Sequence, residues 1–280
     1  LLTEAIALAS SQSWSQEERA SRLGKAGFIK NYNVLLLQEC FDKPATKALR
    51  EGLSETHPYL TPVLGISQND WDDTHNWREN IADGHLNGGV MIASKYPIAH
   101  MEQYLFSANC FVEGLGSKKG LVYARIIKGG KPIHFIATHM QSTGSIACPA
   151  DVERKVREAQ LKEIRSYIDA LDIPVDEMVI IGGDFNIVKD TDEYMTMLQT
   201  LNVSPPSYKG LPYTWDTKTN SLVSYTYPYP ENEQESLDYI FVSDDHLVPP
   251  SWQNVVFDPV STTLMSHRNL FMDVKKDYFV

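Results

Sequence analysis

Apolar residues along this chain gather in short runs, never in one long tract. Val34-Leu35-Leu36-Leu37 leads through Gln38 to Glu39, and further runs bounded by Gly, Pro or charge lie at 89–93, 121–127, 133–138, 178–181 and 237–242. Runs of this length, closed by turn formers, predict buried strands. A different period governs 151–171, where Val156, Leu161, Ile164, Ile168 and Leu171 fall on one helical face, and 191–201 predicts a second such helix. Ser15-Gln16-Glu17-Glu18 predicts a capping box that opens a helix running to about residue 30. Strands that alternate with helices in places and follow one another in others predict an α/β fold with a mixed sheet and helices outside it. The stretch 65–88 has no periodicity. Its Trp71, His75, Trp77 and His85 leave two readings open, a surface loop anchored by aromatics or a loop that touches substrate.

Length and charge narrow the picture. At 280 residues, 42% of them hydrophobic, the chain is expected to form one large domain and to act as a monomer. A formal net charge of -11 argues against a nucleic-acid partner, because affinity for that backbone comes from Lys and Arg neutralising phosphates. No apolar run approaches the roughly 18 residues that cross a bilayer. The first ten residues lack the basic flank of an export signal, so any signal is expected to have been removed or never present. Cys40 ends an apolar run and reads as a small buried thiol, whereas Cys110 and Cys148 stand in polar, turn-rich stretches and are either bridged or free.

Chemistry-bearing residues stand where apolar runs stop. Leu36-Leu37-Gln38 ends in Glu39, Ile136-Ala137-Thr138 ends in His139, and Ile180-Ile181-Gly182-Gly183 ends in Asp184, with Asn186 two residues on. Strand ends at one sheet edge are where α/β enzymes assemble sites. If the strand conformation continues, period 2 puts Asp184 and Asn186 on one side. Singly, each has an ordinary alternative: a solvated Glu, a hydrogen-bonded structural His, an Asp capping a turn. Together they describe a hard-cation site suited to Mg²⁺, while the lack of a Cys/His cluster with ligand spacing disfavours zinc.

Leu37-Gln38-Glu39, Gly182-Gly183-Asp184-Phe185-Asn186 and Leu237-Asp238-Tyr239-Ile240-Phe241 resemble the signature segments of the endonuclease/exonuclease/phosphatase superfamily. The likeness narrows to the neutral sphingomyelinases, in particular bacterial sphingomyelinase C and its leptospiral relatives. It is carried by Glu39-Cys40-Phe41-Asp42, the run from Tyr59 to Gly65, Ser94-Lys95-Tyr96-Pro97, Ser117-Lys118-Lys119-Gly120, Thr138-His139-Met140-Gln141-Ser142 and Tyr213-Thr214-Trp215-Asp216. What the resemblance implies is a DNase I-like, four-layered α/β/β/α sandwich of two mixed sheets. It also implies a secreted, haemolysin-like enzyme that releases phosphocholine and ceramide from sphingomyelin-containing membranes. Glu39 would hold one central Mg²⁺, Asp184 and Asn186 would orient water and phosphate, and His139 would donate to a developing negative oxygen. Asp238 would fix a C-terminal histidine as general base. Cys110 and Cys148 would be bridged.

The chain departs from the family at three places. The terminal Ser-Asp-His motif aligns in two ways: on Met265-Ser266-His267, which keeps His267 as the base and makes 270–274 the last strand, or on Lys275 to Val280, which puts Asp277 there. The first alignment is preferred, because the other site residues are present and a shortened hairpin before the motif accounts for the spacing. An Asp of ordinary pKa is too weak a base near neutrality, so the second implies a catalytically impaired membrane- or host-binding homologue. The family's first strand, with a metal-binding Asn, is expected to lie just before this chain. Leu86-Asn87 and Lys43 stand where relatives bind a second, edge cation, which is therefore expected to be absent. Leu264, Met265, Leu270 and Phe271 become candidate membrane contacts, although their alternation equally suits a half-buried strand. A DNase-like nuclease is disfavoured by the acidic charge. An inositol-phosphate phosphatase is disfavoured by the lack of a Trp-Cys-Asp-Arg segment.

Overall fold

The computed structural model describes residues 15–77, 87–110, 117–145, 148–220 and 233–259, with the backbone of Met265–Arg268 and Asp273–Lys276. In chain order its elements are α1 (Gln16–Lys25), a 3₁₀ turn (Gly27–Asn31), β1 (Val34–Leu37), α2 (Lys43–Leu53), β2 (Tyr59–Leu60), β3 (Asp73–His75), β4 (Met91–Ser94), β5 (Ile98–Leu105), β6 (Gly120–Lys128) and β7 (Lys131–His139). There follow α3 (Ala150–Ala170), β8 (Met178–Asp184), α4 (Asp192–Leu201), β9 (Ser207–Gly210), β10 (Trp215–Asp216), β11 (Gln234–Glu235), β12 (Asp238–Val242), β13 (Gln253–Val256), β14 (Met265–Arg268) and β15 (Asp273–Lys276).

Six strands form the larger sheet in the order β12-β8-β7-β6-β5-β3. It is mixed, with β7 parallel to β8 and β3 parallel to β5. The smaller sheet, β1-β4-β2, is antiparallel in its described strands. Period 2 along the strands builds three apolar layers between four layers of structure. Val122, Ala124 and Ile126 of β6 meet Val90 and Ile92 between the two sheets. Leu121 and Tyr123, on the other face of β6, pack with Leu161, Ile164 and Ile168 of α3 and with Met197 and Leu198 of α4. On the far side, Met91 and Ala93 of β4 pack with Leu49 and Leu53 of α2 and Leu23 of α1. This is the expected α/β/β/α order.

Several local expectations are corrected. The capping box does not form: Ser15 sits at φ 49, no helix amide donates to its side chain, and Glu18 pairs forward with Arg22. The first helix ends at Lys25, and a separate 3₁₀ turn takes the chain to Asn31. α2 was not expected; Asp42 caps it, accepting from the Ala45 amide at 2.7 Å. β5 was not expected either. The stretch 65–88 is not loop throughout, since β3 adds to the sheet edge beside β5 and Trp71 is buried. His85 and Leu86 lie outside the described residues.

Candidate active site

Three neighbouring strands deliver three polar side chains at one level. β7 ends on His139, whose register partner on β8 is Asp184, and Asp184 in turn is the partner of Asp238 at the start of β12. Alternation puts all three on the face turned toward the smaller sheet, since Ala137, Ile180 and their like pack between the sheets. Glu39 comes from the opposite sheet. The two sheets approach closely there: a Cβ on Gly182 would lie 2.9 Å from the Leu36 side chain. Gly183, at φ 141, runs so near β7 that a Cβ would meet the Thr138 carbonyl oxygen at 2.0 Å. The Gly-Gly pair therefore brings Asp184 close to both β1 and β7.

The end of β1 turns sharply. Glu39 has φ 57, Phe41 N donates to the Glu39 carbonyl at 2.7 Å, and Cys40 N donates to Gly89 O at 2.9 Å. A non-glycine residue in the left-handed region is strained, and here the strain swings an exposed carboxylate over the sheet end. Cys40 is the buried thiol expected, with burial pushing its pKa up to about 12. Asn186 is also left-handed, at φ 53, so β8 does not continue to it and strand alternation is not what aligns it with Asp184. Instead its amide donates to Asp184 Oδ1 at 2.8 Å and its Nδ2 donates to Met140 O at 3.1 Å.

The electrostatics favour a cation. Burial first, then repulsion from Asp238 and Glu39, pushes the Asp184 carboxyl up to about 7, against the Asn186 amide and Lys119, which favour its charge. Asp238 keeps an accessible face but is also raised, first by lost solvation and then by Glu39, while Thr214 opposes the shift. A donor set of three mutually repelling carboxylates is what a divalent ion relieves. Among the described residues, however, Glu39, Asp184 and Asp238 do not bring three ligand atoms within 4.8 Å of one another. They fit one carboxylate ligand with the others acting through water or substrate, which suits Mg²⁺.

His139 is buried, with Nε2 3.5 Å from Asp184 Oδ2 and 3.2 Å from Lys119 Nζ. Burial and then the Lys119 charge hold its pKa well below the ordinary imidazole value, so the ring is neutral. Its Nδ1 is buried without a hydrogen-bond partner. Lys119, a residue to which sequence reasoning gave no role, also donates to Met140 O at 2.6 Å. Thr214 was missed as well; its Oγ1 accepts from the Leu237 and Asp238 amides at 2.9 and 3.2 Å and so fixes the start of β12.

The segment after His139 is clamped by α3. Glu153 accepts from the Gly144 and Ser145 amides, Gln160 Oε1 accepts from Gln141 N, and Arg157 reaches Gln141 O and Thr143 Oγ1. Cys110 and Cys148 are bridged, with a Cα separation of 6.0 Å, and Cys110 N donates to Gln141 Oε1 at 3.0 Å.

A profile of the Endonuclease/Exonuclease/phosphatase family matches residues 19–262. Phospholipase C of Staphylococcus aureus is 42% identical over 244 residues, 87% of this chain and 72% of that protein. This chain belongs to that family, in its bacterial sphingomyelinase C group. Sphingomyelinase C of Leptospira interrogans is 40% identical over 266 residues, 95% of this chain. The chain spans only 47% of that protein's length. The crystal structure of a beta toxin double mutant from Staphylococcus aureus with bound magnesium ions superposes with a TM-score of 0.88 at 38% identity, covering 95% of this chain and 89% of that one. The fold of the sphingomyelinase C group is accordingly the DNase I-like fold seen here.

The expected base and the expected membrane contacts lie in the C-terminal segment, of which only two strands are described. His267 lies in β14, and only its backbone is described. The preferred alignment put a shortened hairpin before the motif and a last strand at 270–274; residues 260–264 and 269–272 lie outside the described residues, and the described backbone pairs β14 antiparallel with β15, His267 opposite Val274. Of the candidate membrane contacts, Met265 is described in backbone only, and Leu264, Leu270 and Phe271 lie outside the described residues. At the expected edge-cation positions, Asn87 Oδ1 accepts from Gly89 N at 2.8 Å and Lys43 opens α2.

Proposed function

We propose that this chain is the catalytic domain of a Mg²⁺-dependent phosphodiesterase that hydrolyses sphingomyelin to ceramide and phosphocholine. The observation that carries this is the meeting of Glu39, Asp184 and Asp238 with a neutral, buried His139 at one sheet end. The similarity to proteins named sphingomyelinase C, and to a beta toxin structure that holds magnesium, supports it.

Glu39 would hold the central Mg²⁺, which when bound supplies polarisation of a phosphoryl oxygen and charge relief at the leaving alkoxide. The chain's own groups do the rest. Asn186, pinned to Asp184 and Met140 O, orients the phosphodiester beside Asp184. His139 stays neutral and donates a hydrogen bond to an oxygen on which charge develops. His267 is the proposed base: it takes a proton from water as the water oxygen bonds to phosphorus, the bond to the ceramide oxygen breaks, and that oxygen takes up a proton from solvent while His267 returns its own. Asp238 would orient that imidazole. Membrane contact is assigned to Leu264, Met265, Leu270 and Phe271, and the protein is taken to act as a secreted, membrane-damaging monomer, a compartment that the Cys110–Cys148 disulfide supports.

The test is phosphocholine release from sphingomyelin vesicles with Mg²⁺, with chelator, and with Glu39→Gln. Release that needs both the metal and Glu39 is expected. Intact vesicle binding with no release would replace the enzyme by a membrane-binding homologue, and cleavage of plasmid DNA in place of lipid would make it a nuclease.

A further inference from the structure

On the other face of the larger sheet, the sequence sets acid against acid. Asp73 of the edge strand β3 is the register partner of Glu102 on β5, and His75 lies two residues along on the same face as Asp73. Glu102 and Tyr104 point toward α3, whereas Gln103 and Leu105 point between the sheets, as the layer that Tyr104 and Leu105 join shows. This cluster is thus on the face opposite to His139 and Asp184. It spans β5 and β3, two and three strand steps from β7, or about 9–14 Å at the usual spacing.

The side chains meet closely. His75 Nε2 is 2.9 Å from Glu102 Oε2 and 3.7 Å from Asp73 Oδ2. The three ligand atoms of Asp73, His75 and Glu102 all lie within 4.8 Å of one another. A cation with bonds of about 2.0–2.2 Å spaces its ligands about 3–3.5 Å apart, so only small adjustments separate this set from a coordination shell. Glu102 is fixed from behind. Its side chain is 12% exposed, Tyr167 OH donates to Oε2 at 2.7 Å, and His100 Nε2 bonds Oε1 at 2.7 Å. His100 is held in turn by Asp72 Oδ2 at 3.4 Å from its Nδ1. The His75 ring stacks on Tyr104 and meets Tyr167 edge-on. Burial works against charge on Glu102, yet Tyr167, His100 and His75 keep its pKa below the ordinary value, so the carboxylate is ionised with Asp73 opposite it. Asp73 and His75 are partly open to solvent, leaving room for water ligands.

Two like charges placed directly opposite on neighbouring strands destabilise the pair, unless something positive lies between them. One imidazole with two carboxylates suits a first-row transition-metal dication more than Mg²⁺, which prefers oxygen alone. The flanking tyrosine and histidine are the outer shell such a site needs. We infer that Asp73, His75 and Glu102 form a second metal site, for a Zn²⁺-like cation, that clasps the short edge strand β3 to β5. It does not depend on what the central site cleaves.

Calorimetric titration of the chelator-stripped full chain with Zn²⁺, under saturating Mg²⁺, tests it. One zinc per chain is expected, weakened about tenfold or more in both His75→Ala and Asp73→Asn, two positions partly open to solvent. Glu39→Gln should bind zinc as the parent does. Absence of zinc binding in the parent, unchanged binding in both variants, or loss of binding in Glu39→Gln would each overturn the assignment.

Discussion

The ammonium of Lys119 lies 3.2 Å from Nε2 of His139, inside the protein, and is anchored there by the Met140 carbonyl. A buried cation facing a buried imidazole helps hold that imidazole neutral, with Nε2 accepting from the ammonium and the ring's one N–H left on Nδ1 to donate. In Lys119→Met the His139 pKa should rise yet stay below the ordinary value, because burial, the larger cause, remains. Turnover should fall by about 10²–10³-fold, the usual cost of losing one preorganised donor's geometry. Imidazole proton NMR against pH, beside kcat, checks both. An unmoved His139 titration would show that Lys119 serves the fold only.

Asp184 makes the metal-free protein pH-sensitive. Its carboxyl titrates near 3.8 when unfolded and about 7 when folded without metal, so the folded state binds the extra proton. The sign follows: the contribution is fully present below about pH 4 and is lost as pH rises through about 7. Melting curves in chelator should therefore show stability falling across that window, and Mg²⁺ should restore it most above pH 7. Asp184→Asn should flatten the dependence. A parent whose chelated stability rises steadily from pH 5 to 8 would contradict the repulsive cluster.

Arg157 and Glu193 form a bidentate, nearly buried pair, with contacts of 2.6 and 2.9 Å. Removing one partner strands the other, at a cost of about 3–5 kcal/mol, whereas removing both is far milder. Glu193→Ala should accordingly lower the urea midpoint more than Arg157→Met with Glu193→Leu together. The double variant should still turn over slowly, because Arg157 also grips Gln141 O and Thr143 behind His139. Stability and kcat should thus separate in the double variant. If they recover together, the pair has no part in placing His139.

How much of this was legible from sequence depends on what each residue interrupts. Glu39, His139 and Asp184 each end an apolar run, and a polar residue there is conspicuous because the same run that buries the strand fixes where it stops. Lys119 was not conspicuous. A Lys-Lys pair before Gly120 looks solvated, and only the pairing of Gly120 with His139 shows that one lysine turns inward. Glu153, Arg157 and Gln160 were hidden in the same way, on a helix whose apolar spacing drew attention to its other positions. β3 was invisible because three residues carry no period, and its parallel pairing with β5 joins segments nearly thirty residues apart. The polar, turn-rich settings of Cys110 and Cys148 left a bridge open, and the family resemblance turned it into the expectation that the structure bears out.

His267 is the member of the site on which turnover rests, and its two alignments predict opposite results. If His267 is the base, His267→Ala should lower kcat by about 10²–10⁴-fold while vesicle binding is kept, and Asp277→Asn should be nearly silent. The parent's kcat/KM should then fall as pH drops through about 6.5, where an ordinary imidazole protonates, and that limb should vanish in His267→Ala. If the motif instead lies at 275–280, the base position holds a carboxylate, His267→Ala changes nothing, and turnover is weak throughout. The backbone makes the comparison sharp. Among the described residues, β14 pairs with β15 and with no strand of the sheet that carries Asp184 and Asp238. Strengthening of hydrogen-exchange protection over 265–268 when Mg²⁺ and a sphingomyelin analogue are added would accompany the first outcome, and unchanged protection with unchanged kcat in His267→Ala would remove His267 from the mechanism.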